Sequence, residues 1–175
     1  MEALYKLGVK IDLQKGGDLD LKRLIPVFQR WIQEQAMDSH LLIDVHDYSH
    51  VPHGPGVLLV AHQGNFHVGE DGDRLGLTYT RKQPLDGDLA NRIRELIRIA
   101  RRACERLESE TDLGSVQFAA NQAHVFANDR LLAPNTAETT EQLRAVVAAA
   151  LGNDRTVTAE PTDHRDRVTI RVEGP

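Results

Sequence analysis

Cysteine is almost absent from the chain, since Cys104 is the single example in 175 residues. One thiol forms no disulfide within the chain and cannot supply a metal site built from several thiolates. Cys104 lies within a helical pattern of apolar residues. We therefore expect a small side chain of the core rather than a reactive thiol.

Long apolar runs are also missing. The segment MEALYKLGVKIDLQK alternates apolar and polar residues and lacks the uninterrupted apolar stretch of a secretory signal. No segment approaches the roughly 20 apolar residues that cross a bilayer. The sequence therefore predicts a cytoplasmic protein without a membrane partner.

Positive charge is not in excess. Lysine and arginine number 21 against 26 aspartate and glutamate residues, which gives a formal net charge of −5. A nucleic-acid partner is not expected, because such binding needs positive charge that faces phosphates. The hydrophobic fraction of 41% and the charged fraction of 27% are ordinary for a soluble globular protein.

The strong sequence signatures of catalysis and nucleotide binding are missing too. The chain contains no HExxH pair, no Walker A lysine loop, no GxGxxG after a strand and no GxSxG elbow. The sequence therefore leaves open whether the protein is an enzyme.

The periodicity of apolar residues predicts the fold. Alternation is typical of half-buried strands, and apolar residues three or four apart are typical of helices. These patterns give the order β-α-β-β-β-α-β-β-α-β-β, in which short turns join most neighbouring strands. Short turns favour antiparallel pairing, so we expect an α+β two-layer sandwich with a largely antiparallel sheet and about three helices.

Three details of this prediction concern element boundaries. The third strand is expected to run through residues 57–68, and the Asp-Gly pair at 71–72 is typical of the hairpin turn that follows. The third helix is expected to have Asn135 as its N-cap. The last two strands form a hairpin with its tip at residues 161–166.

A chain of this length fits a single domain, residues 1–175. The parts 1–84 and 112–175 share a loose rhythm of strand, helix and hairpin, and the helix 88–108 joins them. Residue identity between the two parts is poor, so internal duplication is a hypothesis only. Sheet edges need covering or pairing, and we therefore expect a homo-oligomer.

Histidine is concentrated in one part of the chain. Six of the eight histidines lie between residues 40 and 67. They are His40, His46, His50, His53, His62 and His67. The densest passage is HDYSHVPHGPGVLLVAH, residues 46–62, which also holds Asp47, Tyr48 and a Gly-Pro-Gly turn.

These side chains are candidate ligands of a transition metal such as zinc, copper or iron. Such a site needs three or four nitrogen, sulfur or oxygen ligands at about 2.0–2.3 Å from one point. His50 and His53 are three residues apart, and His62 can meet them if the chain folds back through the Gly-Pro-Gly turn. Asp47 is then a ligand or the group that orients a histidine.

His62 is expected on a buried face of the third strand. The residues that would share this face are Leu58, Val60, Phe66 and Val68. A buried imidazole needs a hydrogen-bond partner or a metal. The structural alternative is a neutral core histidine that bonds to Tyr48 or to a backbone carbonyl.

Three functional hypotheses follow. The first is a small ligand- or metal-binding domain that uses the passage 46–62. The second is an enzyme in which His62 or His50 is the general acid or base, Asp47 orients it and Tyr48 donates to the substrate. The third is a non-catalytic interaction module whose histidines are structural.

Tyr48, Tyr79 and Arg81 are the candidate ligand-binding residues. Tyr79 and Arg81 share a strand face, and the guanidinium of Arg81 is suited to an anionic ligand or to a carboxylate of a partner. A surface salt bridge is the alternative for Arg81.

The passage DYSHVPHGPGVLLVAH, residues 47–62, resembles the hallmark segment of an uncharacterised family of bacterial proteins. The segments IPVFQRWIQEQ, residues 25–35, and DRLLAPNTAET, residues 129–139, are similar to other parts of that family. The resemblance implies a natural domain that covers most of the chain. Since the family has no established activity, it implies no mechanism.

Overall fold

The computed structural model describes residues 1–71, 74–152, 154–160 and 163–174. Within these residues the chain forms nine strands and three α-helices. The strands are β1 (Leu7–Lys15), β2 (Leu42–Tyr48), β3 (Gly56–Ala61), β4 (Gly64–Asp71), β5 (Arg74–Arg81), β6 (Gln117–Phe118), β7 (Gln122–Ala127), β8 (Thr156–Ala159) and β9 (Thr169–Glu173). The helices are α1 (Leu24–Glu34), α2 (Leu89–Glu108) and α3 (Ala137–Leu151).

These strands form one antiparallel sheet. Neighbours across it follow the order β2-β3-β4-β5-β1-β7-β9-β8, and β6 pairs with the end of β1. The helices pack on one face, α1 against β2 and β3, α2 against β1, β5 and β7, and α3 against β8 and β9. The predicted α+β two-layer sandwich is confirmed.

The central strand β1 contributes to the hydrophobic core between the sheet and the helices. Leu7, Val9 and Ile11 alternate along it, and each is at most 1% exposed. The helix α2 covers β1 with an apolar stripe. The carboxylate of Asp88 caps this helix by accepting the backbone N–H of Asn91 at 2.7 Å. Within the described residues, no helix has the length and apolar character needed to cross a bilayer.

Helix α3 begins after a different cap from the predicted one. Thr136 is the N-cap, and its hydroxyl accepts the backbone N–H of Thr139 at 3.2 Å. The side-chain amide of Asn135 instead donates to the carbonyl of Asp163 at 2.8 Å. The predicted cap is therefore wrong by one residue, because Asn135 has a partner in a distant loop.

The predicted third strand over residues 57–68 is in fact two strands. β3 and β4 pair with each other, and His62 and Gln63 form the turn between them. This turn lacks the Asn-Gly or Asp-Gly pair that marks a two-residue hairpin. Distant contacts hold it, since Gln63 accepts the N–H of Leu41 through its side chain (2.8 Å) and that of Lys82 through its carbonyl (3.0 Å).

Two predicted turns fall partly outside the described residues. The Asp-Gly turn at 71–72 is one, although β4 and β5 pair as far as Asp71 and Arg74. The tip at 161–166 is the other. Both parts of the chain, 1–84 and 112–175, contribute strands to the same sheet on either side of the β1–β7 pair. Internal duplication stays a prediction.

The second face of the sheet carries no helix among the described residues, and it is concave. β5 and β8 are four strand intervals apart, which is about 19 Å in a flat sheet. Nevertheless, Nη2 of Arg74 on β5 lies 3.5 Å from Oε1 of Glu160, which follows β8. The sheet therefore curls around its helix-free face.

The hairpin of β4 and β5 bends over this concave face. Lys10 pairs in register with Thr78, yet its Nζ donates to the carbonyl of Arg74, four residues away on β5, at 2.7 Å. Gly76 lies between these two positions of β5. A Cβ on Gly76 would lie 2.5 Å from the carbonyl oxygen of Ile11. Glycine thus permits the close approach of two backbones where the hairpin bends.

Candidate functional site: a polar groove on the helix-free face

The histidine-rich passage does not bring its side chains to one point. His50 and His53 are exposed in the loop before β3, whereas His62 follows β3. A strand of this length separates its two ends by roughly 20 Å. Among the residues that the structure describes, no group of three or more His, Cys, Asp or Glu side chains is placed to hold a metal ion.

The expectation that His62 lies on a dry face is wrong. His62 is exposed in the β3–β4 turn. Leu58 and Val60 are half-buried on the helix-free face, whereas Phe66 and Val68 are 0% exposed on the other. Because the turn reverses the alternation between β3 and β4, a single pattern extended through residue 62 assigns the wrong face.

Asp47 and Tyr48 lie at the end of β2, next to the loop. The Asp47 carboxylate accepts the backbone N–H of Ser49 at 2.9 Å, and Tyr48 is 39% exposed. Tyr48, His50 and His53 line one side of an open cleft of about 290 Å³. The structure therefore brings these three side chains to one surface and leaves His62 away from it.

Tyr79 and Arg81 are buried, at 0% and 8% exposure. The guanidinium of Arg81 donates to Oη of Tyr79 at 3.3 Å and to the carbonyl of Gln83 at 2.7 Å. Oη of Tyr79 lies 2.8 Å from Nε2 of His40. Since a guanidinium only donates, the Tyr79 hydroxyl proton is left for His40. Burial lowers the pKa of His40, in keeping with a neutral ring that accepts this proton. Tyr79 therefore offers no surface to a ligand.

Three other ionisable side chains are buried on the helix-free face. Lys10 is 4% exposed, Asp12 9% and His124 2%. Lys10 and Asp12 belong to β1, and His124 lies directly opposite Lys10 on β7. Burial of charge is costly unless the charge is paired. The partners of these three side chains therefore define the site.

His124 is held between two carboxylates. Its Nε2 lies 3.0 Å from Oδ2 of Asp12, and its Nδ1 lies 2.5 Å from Oε1 of Glu160. Both ring nitrogens of His124 therefore face carboxylate oxygens, and imidazole offers two N–H donors only in its protonated form.

Two cations complete the network. Arg74 places Nη1 3.2 Å from Oδ2 of Asp12 and Nη2 3.5 Å from Oε1 of Glu160, and Nζ of Lys10 is 3.5 Å from Oδ1 of Asp12. We call these side chains the groove cluster. Its members are Lys10, Asp12, Arg74, His124 and Glu160.

Asp12 is the centre of the groove cluster. Burial alone raises the pKa of its carboxyl group. The hydrogen bond with His124 and the positive charges of His124, Lys10 and Arg74 lower it by more, so the pKa of Asp12 lies below its ordinary value. The carboxylate is therefore ionised throughout the neutral range.

Arg74 is among the residues that line two open cavities. One has a volume of about 470 Å³ and is lined by residues that include Asp12, Arg74 and Gln122. The second has a volume of about 350 Å³, and we call it the outer cavity. Its lining residues are Arg74, Thr158, Ala159, Glu160 and Arg171. Volumes of this order accommodate small molecules.

Sequence reasoning missed the groove cluster. The polar positions Lys10 and Asp12 were visible as one face of β1, and such a face is usually solvated. They form a site because β1 is a central strand and because His124 contacts Asp12 and Glu160 contacts His124. Both His124 and Glu160 follow β1 by more than 100 positions in the sequence. The sequence signal that could have indicated the site was His124, a single histidine within the apolar run of β7.

Comparison of the chain with known protein families, with functionally curated proteins and with solved structures gave no match. The resemblance of residues 47–62 to a bacterial family stays a prediction.

Proposed function

We propose that the protein is a small-ligand-binding domain, that the concave groove is its binding site and that the ligand carries an anionic group. The supporting observation is the burial of the groove cluster on a face that the helices leave uncovered. Buried ion pairs are weak stabilisers, and apolar replacements are often as stable or more so. Charged groups gathered beside a cavity are, by contrast, typical of binding sites.

The outer cavity indicates the charge of the ligand. Two guanidinium groups, those of Arg74 and Arg171, line it together with a single carboxylate, that of Glu160. Nε of Arg171 is buried and has no hydrogen-bond partner within the described part of the chain. Guanidinium donors match the geometry of carboxylate and phosphate groups. Thr158 lines the same cavity and can supply a hydroxyl to the ligand.

Isothermal titration calorimetry with inorganic phosphate and with succinate tests this proposal. Arg171→Ala should weaken binding roughly tenfold or more, because it removes charge-assisted hydrogen bonds. Glu160→Gln should strengthen binding, because it removes the carboxylate that opposes an anion. Variants that shift affinity in opposite directions distinguish a site from general loss of structure.

Arg144→Ala is the matched control for this experiment. Arg144 lies on α3 and pairs with Glu141 at 2.6 Å, and it is not among the residues that line the outer cavity. Its variant should bind as the unmodified protein does. Absence of binding of both anions to the unmodified protein would contradict the proposal, and so would equal affinities in all variants.

An enzyme that uses His124 as a general acid or base is the second candidate, and the contact of its ring with two carboxylates favours it. Proton transfer to a substrate needs a ring nitrogen within hydrogen-bond reach of that substrate. Both nitrogens of His124 already face carboxylates, and the residue is 2% exposed. The groove therefore supports binding better than acid–base catalysis.

The histidine-rich loop supports a metal site less well than the groove supports an anion site. His50 and His53 share a cleft, but two imidazoles supply fewer ligands than a tetrahedral metal site needs. Binding of zinc, copper or iron by this loop stays a prediction, and titration of the protein with each metal tests it. The role as an interaction module, the homo-oligomer and the cytoplasmic location also stay predictions.

A further inference from the structure

Strand β2 lies at one edge of the sheet, and its own chain covers part of that edge. The side-chain amide of Gln35 donates to the carbonyl of Leu42 and accepts the N–H of Leu42, both at 3.1 Å. An edge strand presents unpaired N–H and C=O groups of this kind to any further strand. Gln35 therefore takes the place that the backbone of a neighbouring strand would occupy.

Gln35 is held in a constrained position. It is the C-cap of α1, with a left-handed backbone (φ 48°, ψ 52°) that is unusual for a residue other than glycine. Its Nε2 also donates to the carbonyl of Ile32 at 2.8 Å, and the residue is exposed. A solvent-exposed side chain of this kind can be displaced by a competing strand, because each of its hydrogen bonds contributes little net free energy.

Further along β2, a second side chain covers the edge. Oδ1 of Asp44 accepts the N–H of Val45 at 2.8 Å. This N–H therefore points away from β3 and toward the open edge. Large apolar side chains are nevertheless exposed here, with Leu41 56% and Ile43 53% exposed. The edge thus combines apolar surface with backbone groups that only side chains cover.

Asp44 and His46 of β2 are a carboxylate and an imidazole whose Oδ2 and Nε2 lie 3.5 Å apart within the chain. Two copies that pair antiparallel about Val45 place Asp44 of each copy opposite His46 of the other. A carboxylate facing an imidazole across a strand pair is a complementary polar pair, and the two-fold symmetry makes two such pairs. A shift by two residues would instead place His46 opposite His46, which loses both pairs.

We propose that β2 is the surface through which two copies of this chain associate, in antiparallel register about Val45, and that Gln35 competes with the second copy for the backbone of Leu42. The two sheets then become one continuous sheet. The exposed Leu41 and Ile43 lie where the far end of the second β2 reaches. Association through one short strand is weak. Gln35 weakens it further because it occupies the backbone groups of Leu42.

Sedimentation velocity over a hundredfold range of protein concentration tests this proposal. Gln35→Ala should tighten the dimer roughly tenfold, because it removes both competing hydrogen bonds. Gln33→Ala, an exposed glutamine on the same helix, is the matched control and should sediment as the unmodified protein does. Circular dichroism checks that each variant is folded.

Charge variants test the register separately from the Gln35 contact. In the Gln35→Ala background, His46→Glu places two carboxylates opposite each other at both pairs and should abolish the dimer. The exchange of Asp44→His with His46→Asp again places a carboxylate opposite an imidazole at both pairs and should restore it. A Gln35→Ala variant that stays monomeric, or a dimer that His46→Glu leaves unchanged, would overturn the proposal.

Discussion

The carboxylate of Asp12 is the residue-scale feature on which the groove depends. Three basic side chains, those of His124, Lys10 and Arg74, approach it within 3.5 Å. A carboxylate buried at this depth is tolerated only with such partners, since the cost of removing it from water is several kcal/mol. Loss of the charge on Asp12 would leave these basic side chains, which come from the adjacent strands β5, β1 and β7, with Glu160 as the remaining carboxylate of the cluster.

Acid should therefore destabilise the protein through Asp12. The pKa of this group is lower in the folded chain than its unfolded value of about 3.9. A depressed pKa adds stability above the unfolded value, and that stability is lost as the pH falls through the folded value. We expect the free energy of unfolding of the unmodified protein to fall as the pH is lowered from about 6 to about 3. It should fall more steeply than that of the Asp12→Asn variant, and urea unfolding at each pH measures both. Parallel curves for the two proteins would contradict this.

The two most buried histidines have different hydrogen-bond neighbours. His40 is 5% exposed and His124 is 2% exposed. His40 meets a phenol and a backbone carbonyl, whereas His124 meets two carboxylates. Burial lowers the pKa of His40, which suits a neutral ring beside the phenol. Sequence patterns distinguish neither case, because all of these partners but Asp38 are distant in the chain.

At the scale of elements, the bend of the β4–β5 hairpin carries Arg74 to the groove. Gly76→Ala should destabilise the protein by about 1–3 kcal/mol, because the added Cβ meets the backbone of Ile11 and Asp12 at 2.5 and 3.0 Å. Urea unfolding at neutral pH measures this change. The same variant should weaken anion binding, because it displaces Arg74.

Gly17→Ala is the matched control for the hairpin. A Cβ there meets nothing within 4 Å. The substitution should leave stability unchanged or raise it by a few tenths of a kcal/mol through the unfolded chain. Equal effects of the two substitutions would show that the hairpin does not depend on close approach at Gly76.

Elements governed by neighbouring residues could be predicted from the sequence. Helix α2, expected over residues 88–108, runs from Leu89 to Glu108, and its apolar stripe repeats every three or four residues over five turns. The turn at His62 and Gln63 could not be predicted, since Leu41 and Lys82 hold it from other parts of the chain. That single error also moved His62 to the wrong face.

At the scale of the whole molecule, the described strands form one sheet and the helices cover one apolar core, so the chain should unfold as one unit. Trp31 on α1 is 0% exposed and Cys104 on α2 is 4% exposed, and burial raises the pKa of the Cys104 thiol well above its usual value. We expect thiol labelling of Cys104 and fluorescence of Trp31 to change at the same urea concentration. Separate midpoints would contradict a single cooperative domain.

The site could be predicted far less well than the fold, because its residues meet only through the order of strands across the sheet. Periodicity assigns a side chain to a face, but it does not order the strands across a sheet. Lys10 and His124 became neighbours because β7 pairs beside β1. The local density of histidine in residues 40–67 was the stronger sequence signal, yet it is spread over a core, a loop and a turn.

The span of the groove cluster along the chain has a consequence for synthesis. Asp12 and His124 are 112 residues apart, and Arg74 and Glu160 are 86 apart. Asp12 and Lys10 therefore leave the ribosome long before β7 and β8, which carry or precede their other partners. Until those strands are made, β1 can pair with β5, and Asp12 has Lys10 and Arg74 as partners but lacks His124. The groove therefore cannot be complete before residue 160 is made, and a nascent chain that halts after α2 lacks His124, Glu160 and Arg171.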